Sequence, residues 1–195
     1  MHQTNPFQSE RLEYRGYDPV QHDDFFATMQ REPLALVSSS ASVLRPVAAK
    51  AIEESRTELL EKSLLFVIVC QRDPDPTKTT PIGIVSLSAS DPDMAHHRCA
   101  SLAIDIARDE QGRGYGGEVL QWVLAWAFEK AGLHRVELEY LGWNERVRPL
   151  YERVGFVEEG RRRSCYFKDG QWWDEVSMGI LEDEWKARSQ TAGQS

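Results

Sequence analysis

Nine consecutive residues, Asp109-Glu110-Gln111-Gly112-Arg113-Gly114-Tyr115-Gly116-Gly117, carry the most suggestive chemistry in the chain. They lie between a strand-like run and a strongly helical one. Glycines at such a junction let the backbone turn tightly and approach a ligand. The first turn of the following helix offers unpaired N–H groups and the positive end of its dipole. That combination suits an anion such as a pyrophosphate, with Gln111 to Gly116 as the cradle and Arg113 adding a charge contact. A glycine-rich turn with no ligand satisfies the same letters, so the loop alone leaves both readings open. A dinucleotide fingerprint needs its glycines in an early βαβ unit. Here the loop is central and the preceding strands read as antiparallel. A Walker loop ends in Gly-Lys-Ser/Thr, whereas this one runs on as Gly116-Gly117-Glu118.

Proton-transfer chemistry has candidates on either side of the loop. Glu137 and Glu139 alternate with Val136, Leu138 and Tyr140, so in a strand both carboxylates point one way. They form either a polar sheet face or a place for a base. Asp105 stands in the strand before the loop, alternating with Ile104 and Ile106. His96 and His97 follow a turn and read as surface residues. Cys70, Cys99 and Cys165 are far apart, with no metal-ligand spacing, and an odd, sparse set suits a reducing compartment. No metal is expected.

The elements that must position these groups follow from patterning. The chain of 195 residues suffices for one domain with a core, taken as residues 9–185 with extensions at 1–8 and 186–195. Hydrophobic residues are 41% and charged residues 28%, the balance of a folded soluble protein. The longest apolar run, Leu64 to Cys70, is strand-sized and far short of a membrane span. Met1 to Gln8 has neither a basic n-region nor an apolar h-region. Cytoplasm is the expected location. The net charge is 23 − 31 = −8, a poor balance for general nucleic-acid binding. No membrane partner is expected either, and the chain is expected as a monomer or homodimer. Arg161-Arg162-Arg163 reads as a solvated strand edge, which discourages edge pairing.

A first strand is expected at Arg11 to Gly16, then helices at Val20 to Gln30 and Ala48 to Lys62 with a loop from Pro33 to Pro46 between them. Leu64 to Gln71 and Ile82 to Ser88 read as a hairpin with a turn-rich tip at Asp73 to Thr80. Ala100 to Ala107 is the next strand. The helix from Gly114 to Ala131 has two apolar stripes, one through Leu120, Val123, Leu124, Ala127 and Phe128, the other through Tyr115, Val119, Trp122 and Trp126. Such a helix must be buried between layers. Val136 to Leu141 is a strand and Pro149 to Val154 a short helix, since proline suits a first helical turn. Val157 to Phe167 and Trp172 to Leu181 close the chain as a hairpin turned by Asp169-Gly170. The order β, α, α, β, β, β, α, β, α, β, β implies an α+β fold around a mixed sheet.

Gln111-x-x-Gly114-x-Gly116 resembles the pyrophosphate motif of the GNAT superfamily of N-acetyltransferases. Asn144, followed seven residues later by Tyr151-Glu152-Arg153-Val154-Gly155-Phe156, resembles the second signature of that family. Ser9 to Arg15, Pro81 to Val85, Gly132 to Val136, and Asp169 to Asp174 with Met178 to Leu181 are similar to its RimJ/RimL-like branch. The likeness runs in register over about residues 9–185, and its agreement across several levels makes it specific. It departs at Val147-Arg148-Pro149, where the family has small residues, which bears on the placement of Asn144. The resemblance implies the GNAT fold, a mostly antiparallel mixed sheet of about seven strands with about four helices.

It also implies acetyl-CoA as cosubstrate and a primary amine as acceptor: a small amine, a polyamine or a protein N-terminus or lysine. Gln111, Gly112, Arg113, Gly114, Tyr115 and Gly116 would hold the pyrophosphate. Backbone groups of Ile104, Asp105 and Ile106 would pair with the pantetheine amides, and Asn144 would bond the same arm. Tyr151 would protonate the leaving thiolate, and Glu139 would be the general base, with Asp105 next in line. His134 fits the family pattern as a structural residue; Trp172-Trp173 reads as strand packing ahead of a binding platform, although the closing hairpin could flank the acceptor pocket. A CoA-binding module without catalysis, or a transferase of longer acyl groups, shares the same loop.

Overall fold

The computed structural model describes residues 5–75, 78–89 and 91–192. Seven strands form one sheet in the order β1-β2-β3-β4-β5-β7-β6. They are β1 (Leu12–Gly16), β2 (Ser63–Gln71), β3 (Thr80–Ala89), β4 (Cys99–Ile106), β5 (Arg135–Leu141), β6 (Val157–Lys168) and β7 (Gln171–Leu181). Every neighbouring pair is antiparallel except β4 and β5. The helices are α1 (Pro19–Arg31), α2 (Pro33–Ser39), α3 (Ala49–Lys62), α4 (Tyr115–Ala125), α5 (Arg148–Val154) and α6 (Glu182–Ala192). The α+β GNAT architecture expected from the resemblance is the one observed.

Strand alternation gives the sheet two apolar faces. On one, Val67, Val69, Val85, Leu87, Leu102, Val136 and Leu138 pack against Val119, Leu120, Val123, Leu124, Ala127 and Phe128 of α4 and its continuation. Ile68, Cys70 and Ile84 on the other face pack against Phe26 of α1 and Ile52 of α3. The helix expected to run to Ala131 is α-helical to Ala125 and continues as one π-helical turn over Trp126–Lys130. Ala127 and Phe128 still reach the core from that turn.

β4 and β5 pair through only three positions, Cys99↔Arg135, Ala100↔Val136 and Ser101↔Glu137. Beyond them β4 continues to Ile106 beside β3, and β5 continues to Leu141 beside β7. Two glycines let each strand lean toward its own side. A Cβ on Gly83 of β3 would lie 2.6 Å from the Asp105 carbonyl oxygen, and one on Gly142 would lie 3.0 Å from the Asp174 carbonyl oxygen. At the joined end, His134 and Arg135 both donate backbone N–H groups to the Arg98 carbonyl, at 2.8 and 3.3 Å. The sheet is therefore pinned at one end and split at the other.

Three local expectations need correction. Pro33 to Ser39, read as loop, is α2; Glu32 caps it by accepting the Leu34 N–H at 3.0 Å, and Pro33 sits comfortably in its first turn. α6 was not foreseen, and it crosses position 185, where the domain was expected to end. Residues just before position 9 are also tied down: Trp122 Nε1 donates to the Pro6 carbonyl at 3.0 Å, and Phe7 accepts from the Tyr14 N–H at 2.9 Å. Residues 1–4 of the stretch read for a leader, and Pro76 and Thr77 of the turn-rich loop, lie outside the described residues. The Asp169-Gly170 turn has positive φ at both residues, as the closing hairpin requires. The triple-arginine strand β6 is an edge, with Arg161 engaged by Glu158 and Asp174 and Arg162 by Glu175.

Pro149 sits within the first turn of α5, where its missing N–H breaks no helical bond. Pro149→Ala is accordingly expected to change unfolding free energy by less than about 1 kcal/mol. Chemical denaturation measures this; a larger gain in the alanine variant would show that the proline strains a longer helix.

Candidate active site

The glycine loop lies where β4 ends, at the mouth of the split. After a 3-10 turn at Arg108–Glu110, Gly112 and Gly114 take φ of +78° and +82°. Both angles are left-handed and nearly free of cost only for glycine. α4 starts at Tyr115, so the Tyr115, Gly116 and Gly117 N–H groups belong to its unpaired first turn. Gly116 also lets α5 close on this end of α4: its Cβ would lie 3.2 Å from Leu150 Cδ2.

A brace invisible in the motif holds the loop. Glu118, in the first turns of α4, accepts from Ser9 Oγ at 2.7 Å, from the Arg11 backbone N–H at 2.7 Å and from Arg11 Nε at 2.8 Å. Burial alone would push the Glu118 carboxyl up, but these bonds outweigh it and hold it below the ordinary glutamate value. Arg11 Nη1 donates to the Arg113 carbonyl at 3.0 Å, and the guanidinium lies 4.7 Å from the centre of the Tyr115 ring. In a trans peptide the carbonyl and the next N–H point oppositely. Drawing the Arg113 carbonyl toward Arg11 thus turns the Gly114 N–H away from it. The Arg113 side chain is itself paired with Glu110 at 3.1 Å, and the Tyr115 hydroxyl accepts from Gln71 at 3.3 Å. What Arg113 and Tyr115 offer an anion at the loop is therefore mainly backbone.

Along β4 the hydrogen-bonding directions can be assigned. The Ala107 N–H donates to the Ile82 carbonyl at 2.7 Å, so Ala107 points toward β3. Antiparallel ladders alternate, so the backbone groups of Asp105 also face β3, while those of Ile104 and Ile106 face the split. The Ile106 carbonyl already accepts from Gln111 Nε2 at 2.9 Å. Of the three residues expected to offer backbone pairing, Ile104 is thus the one whose groups face the split without a partner among the hydrogen bonds described, while the Asp105 backbone faces β3. The Asp105 side chain lies on the α1/α3 face, since Asp105 is in register with Ile84. Glu139 projects from β5 on the same face, opposite Ser177, and is exposed.

Tyr151 stands on α5, half-buried, with its ring centre 6.3 Å from that of Tyr140 and 5.9 Å from that of Phe156. Burial, and secondarily the negative charge of Asp105, push its phenol up to about 12. The negative charge of Asp105 thus opposes ionisation of the Tyr151 phenol. Desolvation by the surrounding protein raises the Asp105 carboxyl above its ordinary value; the residue remains open to solvent, which moderates the effect. Asn144 lies at a kink in the 3-10 segment Gly142–Val147, and its Oδ1 accepts from Arg146 Nε at 3.0 Å. His96 and His97 lie beside the pinned end of β4, away from the loop, with their rings 3.9 Å apart.

Comparison with known proteins bears on this arrangement. The spermidine N(1)-acetyltransferase of Vibrio cholerae is 34% identical over 94 residues, which is 48% of this chain and 54% of that one. The [ribosomal protein uS5]-alanine N-acetyltransferase of Escherichia coli is 29% identical over 111 residues, 57% of this chain and 56% of that one. These matches span about half the length of each relative. A crystal structure of the V. cholerae spermidine N-acetyltransferase in complex with CoA and spermine superposes with a TM-score of 0.72 at 23% identity, covering 90% of this chain and 98% of that one. The family model for the acetyltransferase (GNAT) domain matches residues 11–157, from the brace at Arg11 through the split and Tyr151. The chain belongs to the GNAT acetyltransferase family.

Proposed function

We propose that this protein transfers the acetyl group of acetyl-CoA to a primary amine, the group that spermidine and an N-terminal alanine share. The observation that carries the reading is the split between β4 and β5, with a glycine loop suited to an anion at its mouth. Acetyl-CoA would lay its pyrophosphate on the N–H groups of the glycine loop and its pantetheine along the Ile104 edge of β4. The three sparse cysteines agree with a reducing, cytoplasmic setting.

A lysine-type amine is neutral in only about one molecule in 2,500 near pH 7, which costs roughly 4 to 5 kcal/mol. A carboxylate beside the incoming amine removes that proton as nitrogen attacks the thioester carbonyl. The C–N bond forms, the C–S bond breaks, the departing thiolate takes the phenol proton of Tyr151, and the second proton that the nitrogen must lose to become an amide passes to the Tyr151 phenolate. The base is proposed to be Asp105 first and Glu139 second, because the Asp105 charge reaches Tyr151. The elevated phenol holds its proton throughout the neutral range. When Asp105 accepts the amine proton, its charge no longer opposes ionisation of Tyr151, so base and acid act as a coupled pair.

Tyr151→Phe is expected to lower kcat by about 10²-fold or more while acetyl-CoA affinity is retained. Asp105→Asn is expected to lower the rate near neutrality and to recover as pH approaches the amine's own pKa. The same variant carries a sign in stability. The Asp105 carboxyl is raised in the folded state, so its ionised form opposes folding above that raised pKa and ceases to do so below the unfolded value. Asp105→Asn is therefore at least as stable as wild type at neutral pH, with any difference shrinking as pH falls through the carboxylate range. A pH–rate profile of Asp105→Asn parallel to wild type would transfer the base to Glu139, tested in turn by Glu139→Gln.

Arg11→Met releases the Arg113 carbonyl and leaves Glu118 less neutralised beside the cradle. The KM for acetyl-CoA is expected to rise by about tenfold with kcat little changed, the pattern of lost ground-state binding. Steady-state kinetics at saturating amine measures it. An unchanged KM would remove the brace from cosubstrate binding.

A further inference from the structure

α2 lacks the usual means of holding a helix in place. It has seven residues, too few to be stable alone, and none of its residues is buried. Its first turn is capped by Glu32, the residue that also ends α1. At its C-terminal end the Leu36 carbonyl accepts from the Ser40 N–H at 3.1 Å, which leaves the next carbonyls without helical partners. Two side chains from the far half of the sheet meet them. Trp143 Nε1 donates to the Ser38 carbonyl at 3.0 Å, and the Lys168 ammonium donates to the Val37 carbonyl. A cation suits the negative end of the helix.

The two donors support each other. The Lys168 ammonium lies 4.3 Å from the centre of the Trp143 ring, a cation–π contact. Trp143 is held edge-on by Tyr166 and Trp173, at 6.3 and 6.2 Å between ring centres. Trp173 Nε1 in turn donates to the Lys168 carbonyl at 3.4 Å. Trp143 follows β5, and Lys168 ends β6, so both belong to the half of the sheet beyond the split. α1, which leads into α2, packs on the β2–β3 half through Phe26. α2 touches α1 at one end and β5 with the segment Gly142–Val147 at the other. It therefore crosses from one half to the other on the face from which Asp105 and Glu139 project.

The opposite face is occupied by α4 and α5, which carry the anion cradle and Tyr151. If acetyl-CoA enters there, the amine must come from the α2 side. We propose that Trp143 and Lys168 are positioning residues for the acceptor: they fasten α2 as a strap across the open face of the split and so fix the wall against which the amine is held. This rests on the acetyl-transfer reading above. Neither residue touches the glycine loop or Tyr151 in the observed contacts, so the strap acts on the acceptor and leaves the acetyl-CoA side alone.

The test compares Lys168→Met, Trp143→Phe and Lys168→Arg in the full chain. Trp143→Phe keeps an aromatic ring and removes the N–H donor; Lys168→Arg keeps a cation and is the rescue variant. Amide hydrogen exchange over residues 34–40, without substrates, is expected to speed up by about tenfold in the first two variants and to return toward wild type in the third. With the best primary amine found, the acceptor KM is expected to rise by about fivefold or more, with kcat and the acetyl-CoA KM within about twofold of wild type. Unchanged exchange overturns the latch. Faster exchange with an unchanged acceptor KM overturns the positioning role, as does a parallel rise in both KM values. Absence of acetyl transfer by the wild-type protein to any primary amine tested overturns the function reading and the acceptor role with it, and the exchange data then report the latch by itself.

Discussion

Hydrogen bonding between β4 and β5 stops after Ser101 and Glu137, and the rest of the molecule is organised around that stop. A strand edge inside a sheet leaves backbone donors and acceptors without partners, a cost that folded proteins seldom leave unmet. Here the edge of β4 beyond Ser101 turns the groups of Ile104 and Ile106 toward the gap. The gap is kept by closeness elsewhere: Gly83 allows β4 to press on β3, Gly142 allows the end of β5 to press on β7, and Arg98 ties the strands where they do pair. An extended ligand with amide groups is the natural partner for such an edge, and the glycine loop at its end supplies the counterpart for an anionic group on the same ligand.

The same split sorts the chemistry onto two faces. α4 and α5 lie on one side and bring the anion cradle and Tyr151. The alternation of β4 sends Asp105 to the other side, where α1 and α2 lie. In the proposed reading, two substrates would enter from opposite faces and meet in the split. The proposed acid and base come from different elements, so their separation would depend on how far the strands diverge. A small change in packing at Gly83 or Gly142 would therefore act on the proton-transfer geometry from a distance.

Much of this was legible in the sequence because it is local. The glycine loop, the buried helix after it, the Asp169-Gly170 turn and the proline in the first turn of α5 all follow from residue types over a few positions. The alternation of Glu137 and Glu139 with Val136, Leu138 and Tyr140 likewise predicts which side chains share a face. What was not legible depends on long-range contacts. Glu118 belongs to neither apolar stripe of the helix, and nothing local announces its partners Ser9 and Arg11, more than 100 positions away. Asp105 was read both as backbone for the pantetheine and as the base next in line, and only the direction of the Ala107 N–H shows that its backbone faces β3 while that of Ile104 faces the split. α2 was read as loop because Ser38-Ser39-Ser40 has little helical preference and the segment no buried face. Its C-terminal carbonyls are satisfied by Trp143 and Lys168, which no local pattern announces.

The central claim is that the split is the acetyl-CoA site. A crystal structure of the protein with CoA tests it most directly. The account predicts pyrophosphate oxygens on the N–H groups of the Gln111–Gly116 loop and the first turn of α4, pantetheine amides paired with Ile104 on the free edge of β4, and the sulfur beside the Tyr151 hydroxyl. CoA bound elsewhere, with the β4 edge unpaired and the glycine loop empty, would contradict it.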